Sequence, residues 1–217
     1  MIIINVYIYI KIMIEIIFCD TAKKFTDACE DLIKANPHLL KHYKLSTYNS
    51  SVTELKAQNV AFISPANSYG SMGGGIDYVY SRIMFPNIQK VVMDKIKNLK
   101  KTGVLEQSFD KLTKNNKYSI LPIGEAIITH LKDYQKYSSC YLITAPTMEH
   151  PMNIEGTNNP YKAFIASIKL AENCEYKSNI KTVVCPGLGT GVGGIQFVDS
   201  ATQIFQALND HVAETKN

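Results

Sequence analysis

Short apolar runs alternate along the chain with longer segments in which apolar residues recur every three or four positions. The short runs are typical of buried strands, and the longer segments have the spacing of helices that bury one face. The clearest strand candidates are residues 14–18, 60–63, 139–145 and 182–185. This alternation predicts an α/β fold with a mostly parallel sheet that is covered on both faces.

Five segments have the spacing of amphipathic helices. Asp20 or Thr21 can cap the first of them, and Asn36-Pro37 ends it. The others are residues 76–84, 87–99, 161–170 and 198–212. Weaker patterns predict a short strand over 42–47 and a strand or hairpin arm over 120–123 and 126–129, around Gly124. The Lys- and Asn-rich residues 100–118 predict a surface excursion.

The first 18 residues are almost wholly apolar. A transmembrane helix needs about 20 consecutive apolar residues, and Lys11 and Glu15 interrupt this run. A basic start and a small-residue cleavage site, which a secretory signal needs, are both missing. Because Ile and Tyr favour strands, we expect a buried strand here. A start at Met13 would leave residues 1–12 as an N-terminal extension, either a flap or an edge strand.

Size, charge and cysteine content narrow the class of protein. The 217 residues fit one domain, and a net charge of +4 is too small for a dedicated nucleic-acid binder. The five cysteines form no C-x-x-C pair, which argues against disulfides and zinc. We therefore expect a monomer in a reducing compartment, cytoplasmic or nuclear, with no metal and no cofactor.

Two glycine-rich loops are the strongest functional signal. Each follows a predicted buried strand and precedes a predicted helix. The first covers residues 64–77 (SPANSYGSMGGGID) and the second covers residues 186–194 (PGLGTGVGG). Glycines let the backbone approach a ligand, and exposed N–H groups in such loops bind anions. Two loops at the carboxyl ends of parallel strands therefore predict a site for a molecule with two phosphates.

Three other phosphate or nucleophile motifs fit the sequence poorly. Residues 189–194 match G-x-G-x-x-G, but a dinucleotide-binding unit would continue into a second strand with an acidic residue, and this chain ends near residue 217. The sequence contains no G-x-x-x-x-G-K-[ST] and no G-x-S-x-G. The sequence therefore argues against a dinucleotide-dependent oxidoreductase, a P-loop ATPase and a serine hydrolase with a nucleophile elbow.

Three segments resemble the macrodomains, a family that binds ADP-ribose. Residues 67–77 are similar to the family's N-A-A-N-x-x-L-x-G-G-G-G-V-D loop, residues 124–129 (GEAIIT) to its G-E-A-x-I-T segment, and residues 189–194 to its S-T-G-I-Y-G loop. The resemblance extends over residues 14–212. It implies one macrodomain over residues 1–217, with a three-layer α/β/α sandwich around a mixed, mostly parallel sheet.

The resemblance also implies roles for individual residues. Asn67 would bind the distal ribose, and the first loop would bring its backbone against that ribose and the α-phosphate. The second loop would wrap the diphosphate, with the Thr190 hydroxyl as an added donor. The implied ligand-binding residues are Asn67, Gly73, Gly74, Gly75, Ile76, Gly187, Gly189, Thr190, Gly191, Val192, Gly193 and Gly194.

Three positions depart from the family pattern. Ser51 stands where many macrodomains have an Asp that accepts from the adenine amino group, and Asn49 is a possible substitute. Gly193 stands where an aromatic residue stacks on the distal ribose, and Phe197 or Tyr69 could replace that residue. Ser81 stands at the position of a His found in many hydrolase-type members.

Four functions remain open at this point. The first is a hydrolase that removes ADP-ribose from a protein, a nucleic acid or a small ester, with Asp77 as the candidate catalytic residue that orients water or substrate. A negative charge at the start of the following helix is an equally simple explanation of Asp77. The second is a non-catalytic reader of ADP-ribose. The third is a phosphatase for ADP-ribose 1″-phosphate, and the fourth is a protein that binds nucleotide phosphates in general. We favour the hydrolase, whose partners would be ADP-ribosylated substrates and not membranes, with nucleic acid included only where it carries ADP-ribose.

Overall fold

The computed structural model describes residues 13–56, 58–99 and 120–215, and within them the backbone forms one six-stranded sheet. The strands are β1 (Glu15–Cys19), β2 (Lys44–Tyr48), β3 (Val60–Ser64), β4 (Ile127–His130), β5 (Tyr141–Thr144) and β6 (Thr182–Cys185). Their order is β2-β1-β6-β3-β5-β4. All neighbouring pairs are parallel except β4 and β5. The prediction of a mixed, mostly parallel sheet is confirmed.

Helices pack on both faces of this sheet. They are α1 (Lys23–Ala35), α2 (Gly75–Tyr78), α3 (Ile88–Leu99), α4 (Asn159–Asn173) and α5 (Phe197–Glu214). A π-helical turn, Val79–Met84, continues α2, and short 3₁₀ turns cover Pro37–Lys41, Val52–Glu54 and Gln135–Tyr137.

Each face of the sheet has its own apolar core. Along β3, Ala61 and Ile63 face the core formed with α1, α4 and α5, whereas Val60 and Phe62 face the core formed with α2 and α3. This alternation follows from the two-residue period of a strand. Because every residue of β3 is buried, its sequence is continuously apolar up to Ser64. The α/β/α sandwich is therefore present as expected.

The structure differs from the sequence-based expectation in two places. Residues 120–123 form no strand, because the Leu121 N–H pairs with the Ser68 carbonyl and Gly124 turns the chain with a φ of +96°. The helix expected over residues 76–84 is α-helical only up to Tyr78 and then becomes the π-helical turn. The expectations for residues 1–12 and 100–118 fall outside the described residues.

The sheet order explains why the two glycine loops meet. One loop follows β3 and the other follows β6, and these strands are parallel neighbours. Their carboxyl ends therefore lie side by side, next to the end of β1 on the far side of β6. Both loops and the segment after β1 open onto the same edge of the sheet, where ligands bind in parallel α/β folds.

Candidate functional site

A cavity of about 750 Å³ lies at this edge, between the two glycine loops. It is lined by every predicted site residue except Gly194, which lies just outside it. The predicted residues in the lining are Ser51, Asn67, Gly73, Gly74, Gly75, Ile76, Asp77, Gly187, Gly189, Thr190, Gly191, Val192 and Gly193. Cavities of several hundred Å³ are of the size that holds a small-molecule ligand.

The first loop presents unpaired backbone groups to the cavity. A Cβ built on Gly73, Gly74 or Gly75 meets nothing within 4 Å, so none of these glycines is explained by packing. Within the described residues, the N–H groups of residues 73–76 donate no hydrogen bond. The Asn67 carboxamide is fixed through Oδ1, which accepts from the N–H groups of Tyr69 and Ser71, and its Nδ2 is the group left to donate to a ligand.

The second loop also carries free amides. The N–H groups of residues 190–193 donate no hydrogen bond to any part of the chain that the structure describes. The Thr190 hydroxyl, by contrast, donates to the Gly187 carbonyl at 3.0 Å and holds the loop itself. Its role as an added donor to the diphosphate stays a prediction, and to fill it the hydroxyl would have to leave the Gly187 carbonyl.

The missing aromatic residue at position 193 has a packing explanation. A Cβ at Gly193 would lie 2.5 Å from the Gly189 carbonyl oxygen and 2.9 Å from the Ile154 side chain. No larger residue fits there unless the backbone moves. Phe197, at the start of α5, lines the cavity, whereas Tyr69 does not. Of the two expected replacements, Phe197 is thus the one in position to contact a ligand.

The cavity lining near Ser51 includes a carboxylate that sequence reasoning missed, that of Asp20. The Ser51 hydroxyl accepts from the Thr53 N–H and caps the short turn Val52–Glu54. Asn49 does not line the cavity, because its amide donates to the carbonyls of Asp20 and Thr21. Asp20 itself does line it.

Asp20 connects the end of β1 to the second loop. Its Oδ2 accepts from the Gly187 N–H at 3.0 Å, and its Oδ1 accepts from the Ala22 N–H at 2.9 Å. A Cβ at Gly187 would lie 3.1 Å from Oδ2, so a glycine is what allows this close approach. The available signal in the sequence was a polar residue directly after a buried strand, the position where parallel sheets place ligand contacts.

Asp77 is buried at the base of the first loop. Only 7% of its surface is exposed, and Ser64 Oγ donates to its Oδ1 at 2.5 Å. Burial raises the pKa of the Asp77 carboxyl from 3.8 to about 7, and the hydrogen bond from Ser64 opposes the shift. A carboxyl group with this pKa can hold or release a proton near neutral pH, as general acid–base catalysis requires.

None of the described residues that line the cavity has a cationic side chain. They include two carboxylates, Asp20 and Asp77, but no Lys, Arg or His. Ser81, at the position of the expected His, is buried, and its hydroxyl donates to the Met72 carbonyl. Among the described residues no group of His, Cys, Asp and Glu could hold a metal ion. An anion in this cavity would be bound by backbone amides.

The sequence match agrees with this arrangement. A family model for the Macro domain matches residues 63–204, which include both glycine loops and Asp77. The chain belongs to the Macro domain family. An uncharacterised protein of Aquifex aeolicus is 30% identical to this macrodomain over 151 residues, which cover 70% of this chain and 72% of that protein. An uncharacterised protein of Aeropyrum pernix is 28% identical over 163 residues, which cover 75% of this chain and 69% of that protein.

Solved macrodomain structures share the fold. The Oceanobacillus iheyensis macrodomain with ADP superposes with a TM-score of 0.52 at 18% identity, covering 74% of this chain and 72% of that one. The same protein with MES bound gives a TM-score of 0.51 at 18% identity, with 76% and 75% covered. No helix in residues 13–56, 58–99 or 120–215 has the length and apolar character to cross a membrane.

Proposed function

We propose that this macrodomain binds ADP-ribose in the cavity between its glycine loops and hydrolyses the bond that joins ADP-ribose to a modified macromolecule or small ester. The observation that carries the proposal is that loop amides without a partner among the described residues share one cavity with a buried carboxyl group, whose pKa burial raises to about 7. The amides suit a diphosphate, and the carboxyl group suits proton transfer at the sugar beyond it.

The diphosphate would be held by the backbone alone. Residues 73–76 and 190–193 offer N–H groups that donate to no described residue, and no Lys or Arg is found among the described residues that line the cavity. Consecutive amides in glycine-rich loops form concave anion sites without side-chain charge. Asn67 Nδ2 would donate to the distal ribose, and Phe197 would pack against it. The adenine would lie toward Ser51 and Asp20.

Hydrolysis adds one water molecule across the ADP-ribosyl bond. The water oxygen bonds to the anomeric carbon, or to the acyl carbon of an ester, and the bond from that carbon to the departing oxygen breaks. The proton that the water loses ends on the departing oxygen. Asp77 is the group that we assign to this proton transfer, since its pKa of about 7 lets it accept a proton and return it.

Calorimetric titration with ADP-ribose, and with ADP as the control, tests binding. Preference for ADP-ribose over ADP would show that the distal ribose is recognised. Equal affinity for both would leave a general binder of nucleotide diphosphates, and no binding would refute the proposal.

Release of ADP-ribose from a modified protein and a modified oligonucleotide tests catalysis. Asp77→Asn should keep ADP-ribose binding and lower turnover by roughly 10²–10⁴-fold, the usual range for a lost acid–base group. Asp199→Asn, which changes an exposed carboxylate on α5, is the matched control. Binding without release by the wild-type protein would identify a reader instead of a hydrolase.

A further inference from the structure

We propose that Ser64 is a positioning residue for Asp77: it holds Oδ1 of the carboxyl group, so that Oδ2 is the oxygen that exchanges a proton in the cavity. This inference rests on the proposed function, because it gives Asp77 a part in proton transfer. It adds a second residue, outside the cavity wall, and it gives the two oxygens of the carboxyl group different roles.

The geometry of the pair comes from two neighbouring elements. Ser64 is the last residue of β3, and Asp77 is the third residue of α2. Ser64 is fully buried, and its Oγ donates to Asp77 Oδ1 over 2.5 Å. Ser64 is absent from the cavity lining, whereas Asp77 is part of it. The hydroxyl therefore reaches a ligand only through the carboxyl group.

The two oxygens of Asp77 have different surroundings. Oδ1 accepts from Ser64, and Oδ2 has no hydrogen-bond partner in the part of the chain that the structure describes. Oδ2 is also absent from the fully buried, unpartnered side-chain atoms found in those residues. It therefore keeps contact with the cavity. A carboxyl group held at one oxygen and open at the other presents a fixed site for a proton.

The ionisable groups near Asp77 have little effect on the different roles of its two oxygens near neutral pH. Tyr80 lies on the helical segment that continues from Asp77, Cys19 ends β1 and Cys185 ends β6. Burial raises the pKa of all three, that of Cys19 to about 12, so they stay uncharged at pH 7. The other carboxylate in the cavity is Asp20, whose two oxygens accept backbone N–H groups.

The alternative is that Ser64 merely fills space beneath the loop. Ser64→Ala distinguishes the two roles, and Ser64→Cys keeps the size of the side chain with a weaker donor. Ser167→Ala is the matched control, because Ser167 is also fully buried but donates to the Ala163 carbonyl within α4. The first measurement is ¹³C NMR of protein labelled at its aspartate carboxyl carbons, with Asp77 assigned from the spectrum of Asp77→Asn.

We expect the Asp77 carboxyl to titrate near pH 7 in the wild-type protein and in Ser167→Ala. In Ser64→Ala the midpoint should move up by about one pH unit, a tenfold higher proton affinity, because the bond that favours the ionised form is lost. The midpoint in Ser64→Cys should lie between those of the wild-type protein and Ser64→Ala. The pH profile of ADP-ribose release should shift in the same direction, with ADP-ribose affinity at low pH unchanged.

An unchanged midpoint in Ser64→Ala, or an equal shift in Ser167→Ala, would overturn the assignment. So would a shifted midpoint with an unshifted profile of release. If the wild-type protein binds ADP-ribose but does not cleave it from a modified protein or oligonucleotide, the hydrolase proposal fails, and this failure is separate from the role of Ser64. The role of Ser64 is then judged on the carboxyl titration and on the pH dependence of ADP-ribose affinity, which should shift together.

Discussion

The burial of Asp77 predicts that this protein loses stability as the pH rises toward 7. Its carboxyl pKa is about 7 in the folded chain against an ordinary value of 3.8. Between these values the folded state binds more protons than the unfolded state, so the free energy of unfolding falls with increasing pH. Below pH 3.8 both states are protonated, and above pH 7 both are ionised, so the loss is confined to this window.

The size of the effect follows from the pKa difference. Well inside the window each pH unit costs about 1.4 kcal/mol, and the slope falls as the folded-state pKa is approached, so the interval from pH 5 to pH 7 costs about 2 kcal/mol. Asp77→Asn removes the titrating group and keeps the shape of the side chain. The variant should therefore lack this part of the decline, and its stability should exceed that of the wild-type protein most clearly above pH 7.

Urea unfolding at pH 5, 6, 7 and 8 measures the difference directly. The control is Asp199→Asn, which changes an exposed carboxylate and should give a curve parallel to that of the wild-type protein. If Asp77→Asn also follows the wild-type curve, Asp77 has an ordinary pKa in the folded state. The argument for proton transfer at this position would then lose its support. The measurement needs no ligand, so it is independent of the catalytic assay.

Three further substitutions test the second loop and the carboxylate that contacts it. Gly193→Ala should lower the free energy of unfolding by about 1–3 kcal/mol, because its Cβ would lie 2.5 Å from the Gly189 carbonyl oxygen. The control is Gly191→Ala, whose Cβ would meet no described atom within 4 Å and which should leave thermal unfolding unchanged. Equal effects of the two substitutions on thermal unfolding would contradict the packing explanation. Asp20→Ala should weaken ADP-ribose binding about tenfold in calorimetry, because the Gly187 N–H loses the carboxylate oxygen to which it donates and the loop is held less firmly. Unaltered affinity would show that the loop keeps its shape without this hydrogen bond.

Much of the fold could be predicted from local sequence. The continuously apolar run before Ser64 predicts a central strand, because only a strand buried on both faces tolerates such a run. Residues 182–185 are likewise a strand with the predicted bounds. The glycine pattern of the first loop predicted a ligand site from sequence, and the structure agrees in that a Cβ on Gly73 or Gly74 would meet no described atom within 4 Å.

Only the tertiary structure could decide which distant residues meet at the cavity. Asp20 approaches Gly187 because β1 and β6 are paired, although 167 residues separate them in sequence. The Gly189 carbonyl and the Ile154 side chain lie where a side chain at position 193 would have to begin. The Thr190 hydroxyl turns inward to Gly187. These contacts depend on packing between segments that are far apart in the chain, and local patterns do not encode that packing.

Asp77 shows both contributions in one residue. Its position after the glycines marked it as a candidate from the sequence alone, with a charge at the start of a helix as the equally simple explanation. The tertiary structure buries it, and among the described residues Ser64 is the one that donates a hydrogen bond to its side chain. That burial raises its pKa to about 7, because an ionised carboxyl loses its hydration inside the protein. The sequence supplied the carboxyl group, and the fold around it determined its proton affinity.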